Sequence, residues 1–173
     1  MSNVLVAYAS KHGATEEIAE AVADELRAAG HTADCVPAED AKGVDSYDAV
    51  LIGSAVYMGR WRRAARQLLS RQSEELGERP LWLFSSGPCG QPDPSWAAPP
   101  GIERHAKRLG ARGHIVFGGR MPSEPSNFIE RGIAQKSPEE YRDLRDWDTI
   151  RGWARDIAAE LSPANEAPVG AAR

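Results

Sequence analysis

Short apolar runs alternate with stretches of helical periodicity along most of the chain. Val4-Leu5-Val6-Ala7-Tyr8-Ala9, Ala49-Val50-Leu51-Ile52-Gly53, Leu81-Trp82-Leu83-Phe84-Ser85 and His114-Ile115-Val116-Phe117-Gly118 read as buried strands. His31 to Val36 alternates more weakly and reads as another strand, second in chain order. Between them, Ile18, Ala21, Val22, Leu26 and Ala29 recur at helical spacing, with Glu16, Glu17, Glu20, Asp24 and Glu25 mostly on the other faces and Gly30 as the C-cap. Trp61, Ala64, Ala65, Leu68 and Leu69 mark a second helix, and Ile102 to Leu109 a short third one. Trp147, Ile150, Trp153, Ala154, Ile157, Ala158 and Leu161 line one side of a final helix that Asp146 caps. Residues 40–48 are polar and turn-rich, and 121–145 read as irregular or mixed. The stretch 87–101, with Pro88, Pro92, Pro94, Pro99 and Pro100, cannot be regular throughout. The expected organisation is one domain over 1–162, followed by a disordered Ala/Pro/Gly-rich tail at 163–173.

Five strands alternating with helices predict an α/β fold, a parallel sheet covered on both faces. Right-handed crossovers make it doubly wound, and the order 2-1-3-4-5 is one such solution. A response-regulator receiver or a small hydrolase has the same composition. A receiver needs acidic residues after its first and third strands, where this chain has Ser10 and Gly53-Ser54. A hydrolase elbow of the form G-x-S-x-G is absent.

Composition narrows the function classes. With 173 residues, one domain is the natural count. A net charge of −4 gives nucleic acid no global electrostatic support. No apolar run approaches the ~20 residues that span a bilayer, so no transmembrane segment is expected. No basic segment followed by a signal-type apolar core opens the chain. Cys35 and Cys89 form no metal-type cluster. The expectation is a cytoplasmic protein with two free thiols and no metal site.

Ser10-Lys11-His12-Gly13-Ala14-Thr15 joins the first strand to the first helix. Hydroxyls and unpaired N–H groups at a helix start, with roughly +0.5 charge from the helix, suit a phosphate. The loop resembles the flavodoxin phosphate loop, T/S-x-T-G-x-T: Ser10, Gly13 and Thr15 fill their places, and His12 replaces the middle hydroxyl residue. Lys11 and His12 before Gly13 are similar to the variant loop of the menaquinone-dependent protoporphyrinogen IX dehydrogenases of the same superfamily. The glycines of G-x-G-x-x-G and the Gly-Lys-Ser/Thr ending of a triphosphate loop are missing, which disfavours dinucleotide and ATP sites.

Two further loops extend the resemblance. Gly53-Ser54-Ala55-Val56-Tyr57-Met58-Gly59-Arg60-Trp61 follows strand three and is similar to the Gly-Ala/Ser-Ser/Ala, aromatic and Gly pattern of the dehydrogenase family. Ser85-Ser86-Gly87-Pro88-Cys89-Gly90 follows strand four. The resemblance runs from about Asn3 to Leu161 and includes Glu140-Tyr141-Arg142-Asp143-Leu144-Arg145-Asp146-Trp147. It implies a flavodoxin-like sheet with FMN as cofactor. Ser10, Lys11, His12, Gly13, Ala14 and Thr15 would cradle the phosphate. Ser54, Ala55, Val56, Tyr57, Met58 and Gly59 would flank the isoalloxazine on one side, with Tyr57, Met58 and Trp61 packing on it; Ser86, Gly87, Pro88, Cys89 and Gly90 would flank it on the other.

By resemblance the protein is an FMN-dependent oxidoreductase or electron carrier whose partner is a redox protein or a small-molecule substrate or quinone. The alternative is a flavodoxin fold that has lost FMN and works as an interaction module. No catalytic residue stands out. Lys11 reads as a phosphate ligand or a solvated loop lysine, and His12 as loop-shaping, a phosphate donor or a proton relay. Met121 to Glu140 departs from the dehydrogenase pattern: it carries Glu124, Glu130, Glu139 and Glu140 against Arg131 and Lys136, with Phe128 its lone aromatic. No interfacial helix is expected there. Arg60, Arg62, Arg63 and Arg66 read as a solvated helix face or a dock for an acidic redox partner.

Overall fold

Val4 to Ala9 are all buried, which places β1 (Asn3–Ala9) inside the sheet with both faces covered. A computed structural model describes residues 1–87 and 99–162. Its strands β2 (Thr32–Pro37), β3 (Ala49–Tyr57), β5 (Leu81–Ser86) and β6 (Gly113–Phe117) join β1 in the parallel order β2-β1-β3-β5-β6. This is the doubly wound order read from the sequence, with one addition. β4 (Arg60–Trp61) folds back antiparallel on the end of β3, pairing Val56 with Trp61 and Tyr57 with Arg60.

The period of two in β1 builds two cores. Val4 and Val6 meet Ile18, Val22 and Leu26 of α1 (Ala14–Ala28) and Ile150, Ala154 and Ile157 of α6 (Trp147–Glu160). Leu5 and Ala7 meet Leu68 and Leu69 of α2 (Arg63–Arg71), Leu76 of α3 (Ser73–Gly77), and Ile102 and Leu109 of α4 (Pro100–Leu109). α5 (Phe128–Lys136) lies in the connection between β6 and α6. Asp146 caps α6, accepting from the N–H groups of Asp148 and Thr149, as its sequence position predicts. The helix α1 ends one residue earlier than Gly30 implies: Ala29 is its C-cap, and Gly30 follows at φ +90°.

Three expectations change. The stretch Gly53 to Trp61 is not a loop: β3 runs on to Tyr57 and turns into β4. Trp61 does not start the second helix, which opens at Arg63; it is buried on β4 and donates its indole N–H to Ser85 Oγ at 2.8 Å. An indole fixed in the core in this way does not pack on a ligand ring. The region 121–145 contains α5, which its polarity concealed. The Pro/Gly-rich stretch from Pro88 and the tail at 163–173 lie outside the described residues.

Ser85 Oγ also lies 2.9 Å from His114 Nε2. Burial pushes the His114 pKa below 6.5, and on α4 burial with Arg108, Arg104 and Arg66 does the same to His105. The unfolded chain takes up these protons first as pH falls, near 6.5. Stability is therefore fully present above about pH 6.5 and declines toward pH 5, before most carboxylates titrate. His114→Gln is expected to flatten part of that decline in urea unfolding followed from pH 7 to 5. An unchanged slope would place the protonation elsewhere.

Candidate functional site

The end of β1 delivers the chain into a turn closed by its own hydroxyl. Ser10 Oγ accepts the Gly13 N–H at 3.0 Å, and Gly13 takes the N-cap position of α1 at φ +82°. Left-handed backbone of this kind favours glycine. The Glu17 N–H reaches back to the Gly13 carbonyl, so the N–H groups of Ala14, Thr15 and Glu16 precede the helical ladder. Thr15 is 1% exposed. Its Oγ1 is the one buried side-chain polar atom among the described residues that has no hydrogen-bond partner. A buried hydroxyl left unpaired costs about 1–3 kcal/mol.

Ser10, Lys11, His12, Ala14 and Thr15 line one cavity of about 410 Å³. Its second wall is the tip of the β3–β4 hairpin: Ala55, Val56, Tyr57, Met58 and Gly59. The two turn residues have φ +49° at Met58 and +71° at Gly59, as a two-residue primed hairpin turn requires. A Cβ on Gly59 would meet nothing within 4 Å, so backbone conformation alone calls for glycine there. Met58 accepts the same conformation at a cost and holds its side chain 77% exposed at the cavity mouth. Ser54 is not part of this wall. It is fully buried, and its hydroxyl accepts the Arg62 N–H and donates to the Ala55 carbonyl, both at 2.9 Å, bracing the hairpin. The third wall is Ser86 and Gly87 at the end of β5. Pro88, Cys89 and Gly90 lie outside the described residues.

The roof was not read from the sequence. Gly119, Arg120, Met121 and Pro122 lead from β6 over the cavity, and α5 contributes Ile129, Glu130 and Ile133. Glu130 is buried beside the phosphate-type loop. One carboxylate oxygen accepts from Lys11 Nζ and lies 3.1 Å from His12 Nε2. The other accepts from the Ser126 N–H at 2.7 Å and its hydroxyl at 2.8 Å. Burial raises the carboxyl pKa, but these bonds outweigh it and hold Glu130 well below the usual carboxylate range. The same bond raises the pKa of Lys11. Lys11 therefore is not a solvated loop lysine: it pairs with Glu130 and sits 4.3 Å from the centroid of the Tyr57 ring. Asn127 ties the third side in. It caps α5 by accepting the Glu130 N–H at 2.9 Å and donates to Tyr57 Oη at 3.0 Å. Asn127-x-x-Glu130 is a capping-box spacing, the signal by which the sequence marks this helix start.

Phe128, Ile129 and Ile133 are 88%, 57% and 44% exposed, so α5 presents apolar surface despite its acidic neighbours. Cys35 carries no thiolate chemistry here, since burial and Glu20 push its pKa up to about 12. Among the described residues no cluster of His, Cys, Asp or Glu forms a metal site, and no helix is long and apolar enough to cross a membrane. The cavity thus joins a donor-rich end, suited to an anion, with apolar walls suited to a flat ring.

Residues 5–143 match the family model described as a flavodoxin domain. No curated protein matches the sequence. Among solved structures, oxidised flavodoxin 1 from Bacillus cereus is 15% identical, with a TM-score of 0.62 over 93% of this chain and all of that one. Flavodoxin 2 from the same organism is 21% identical, with a TM-score of 0.61 over 92% of this chain and 99% of that one. Two-electron reduced Megasphaera elsdenii flavodoxin is 22% identical, with a TM-score of 0.58 over 90% of this chain and 98% of that one. These likenesses concern the fold.

Proposed function

The chain belongs to the flavodoxin-domain family, and from that premise we propose that it binds FMN and acts as a redox protein. The observation that carries the reading is the buried, partnerless hydroxyl of Thr15, set among the free N–H groups of α1 at the end of the cavity. A phosphate gives those donors an acceptor. The residues present fit the group: Ser10 to Thr15 would hold the phosphate, with Ala55 to Gly59 and Ser86 to Gly87 on either side of the ring. Bound there, the flavin would supply the electron transfer. The protein's part is to position it, and Ile129, Ile133 and Met121 would keep water from one side.

Loop resemblance supports the finer reading, oxidation of a porphyrinogen with a quinone acceptor in the manner of the menaquinone-dependent dehydrogenases. Apolar Met58, Ile129 and Ile133 at the mouth favour an apolar visitor. Turnover of a porphyrinogen with a quinone checks it, and its absence in a flavin-loaded protein leaves the electron carrier. A cytoplasmic location belongs to the same proposal.

FMN should raise the stability of the protein by about 2.7 kcal/mol at 100 times its dissociation constant, whereas equal FAD should not, because the cavity offers one anion end. Thermal denaturation with each flavin reads this. Equal stabilisation by FAD would overturn the single-phosphate assignment, and no response to either would favour the interaction module.

A further inference from the structure

The arginines that cluster along the chain at 60–66 divide in space. Arg62, whose backbone N–H braces the hairpin at Ser54, and Arg63, which starts α2, are not in the lining of the pocket beside them. Arg60 and Arg66 instead line a second pocket, of about 500 Å³, whose far wall is α4 with Arg104 and Arg108. Pro99 and the buried Trp61 and Ile102, each of the latter two 2% exposed, are the apolar residues along it, with the arginines and His105. Gly59 lines this pocket and the flavin cavity alike, so the two adjoin at the hairpin tip.

Four exposed arginines line one pocket in a protein whose net charge is −4, and among the described residues no carboxylate joins them there. Among the described residues, none of the four takes part in an ion pair, although Arg27, Arg120, Arg145, Arg151 and Arg155 all do. Local contacts fix two of them in place. Arg66 Nε donates to the Trp61 carbonyl at 3.1 Å, and Arg108 Nη2 lies 3.2 Å from His105 Nδ1. Gathering like charges costs free energy that an anion would return. Guanidinium forks match carboxylate and phosphate oxygens bidentately.

We propose that this pocket binds a small polyanion, a molecule carrying two or more carboxylate or phosphate groups, beside the flavin cavity. The volume favours a small molecule over the flat patch of a protein partner, since ligand clefts run about 300–1,000 Å³. The lining is matched to such a ligand, with cationic walls for its charges. Only the relation to the flavin rests on the function proposed above; the pocket itself does not.

Isothermal titration calorimetry with pyrophosphate and with citrate, at low ionic strength, tests the assignment. One site is expected in the wild type, and Arg104→Gln/Arg108→Gln should weaken it at least tenfold. Arg151→Gln/Arg155→Gln, an equal charge change on α6, should leave it within twofold. Saturating FMN should not displace the anion. Pyrophosphate binding alone, or citrate binding alone, would name a phosphate or a carboxylate ligand and supports the site. Equal loss in both double variants would overturn it as unspecific attraction. Displacement by FMN would overturn it in favour of the phosphate-type loop. Binding of a polyglutamate peptide with neither small anion would overturn it in favour of an acidic protein partner. If the protein takes up no flavin yet pyrophosphate binding keeps its dependence on Arg104 and Arg108, the flavin reading fails and the pocket stands.

Discussion

Gly118→Ala should destabilise the protein by about 3 kcal/mol or more, the upper end of what overpacking costs. A Cβ at this position would lie 1.9 Å from the Leu144 carbonyl oxygen and 2.5 Å from its carbonyl carbon. The obstacle is backbone, so no rotamer change relieves it. Nor can Leu144 retreat freely. Its N–H donates to the Gly119 carbonyl at 2.9 Å, and the Met121 N–H donates to the Arg142 carbonyl at 2.7 Å. These bonds clip the returning chain against the segment that roofs the cavity. At about 2–4 °C per kcal/mol for a chain of this size, the melting temperature should fall by roughly 6–12 °C. Because Gly119 to Pro122 line the cavity, flavin affinity should fall with it. Gly152→Ala on α6 is the control: its Cβ meets nothing within 4 Å, and stability should hold or rise. Urea midpoints of the two variants decide the matter. A loss under 1 kcal/mol for Gly118→Ala would show that the clip yields.

Thr15→Val should move two measurements in opposite directions. Without ligand, the variant removes a buried hydroxyl that has no partner and keeps the branched shape, so the protein should become more stable by about 1 kcal/mol or more. With FMN, the same hydroxyl has lost its acceptor. A hydrogen bond to a charged group contributes about 1.5–3 kcal/mol, so affinity should fall about 10- to 150-fold. Riboflavin, which has no phosphate, should bind both proteins alike. A variant less stable without ligand would mean that the hydroxyl supports the fold. Equal losses for FMN and riboflavin would mean that it does not read the phosphate.

Glu130 sharpens the second expectation. Its carboxylate already takes Lys11 and His12, so in this conformation the loop offers an arriving phosphate hydroxyls and backbone N–H groups more than side-chain cations. The contribution of Thr15 grows accordingly.

The strands, the loop at the start of α1 and the cap at Asp146 are legible because each is a local pattern. An apolar run buried on both faces, a glycine in a tight turn and an Asp before a periodic stretch all declare themselves within a few residues. The order of the sheet followed because handedness leaves few ways to wind such elements. Ser54 and Trp61 show where that reasoning ends. Both have the small or aromatic character that suits a ligand wall, yet a hairpin bond takes the Ser54 hydroxyl and Ser85 takes the Trp61 indole. A β-strand that outruns its apolar core and turns on Met58-Gly59 is a decision of pairing, invisible to hydropathy.

The sequence by itself determined the parallel sheet, its two covered faces and the anion-suited end of α1, since these follow from periodicity and from the free N–H groups of any helix start. Only the tertiary structure decided what covers that end. Glu130 is 119 residues from Lys11 and 118 from His12 along the chain, and no local pattern relates them. Their meeting depends on the path from β6 over the cavity, where Gly118 lets Leu144 approach. The same holds for the arginine pocket, whose walls come from α2 and α4 and meet because both helices bury their apolar sides against one face of the sheet.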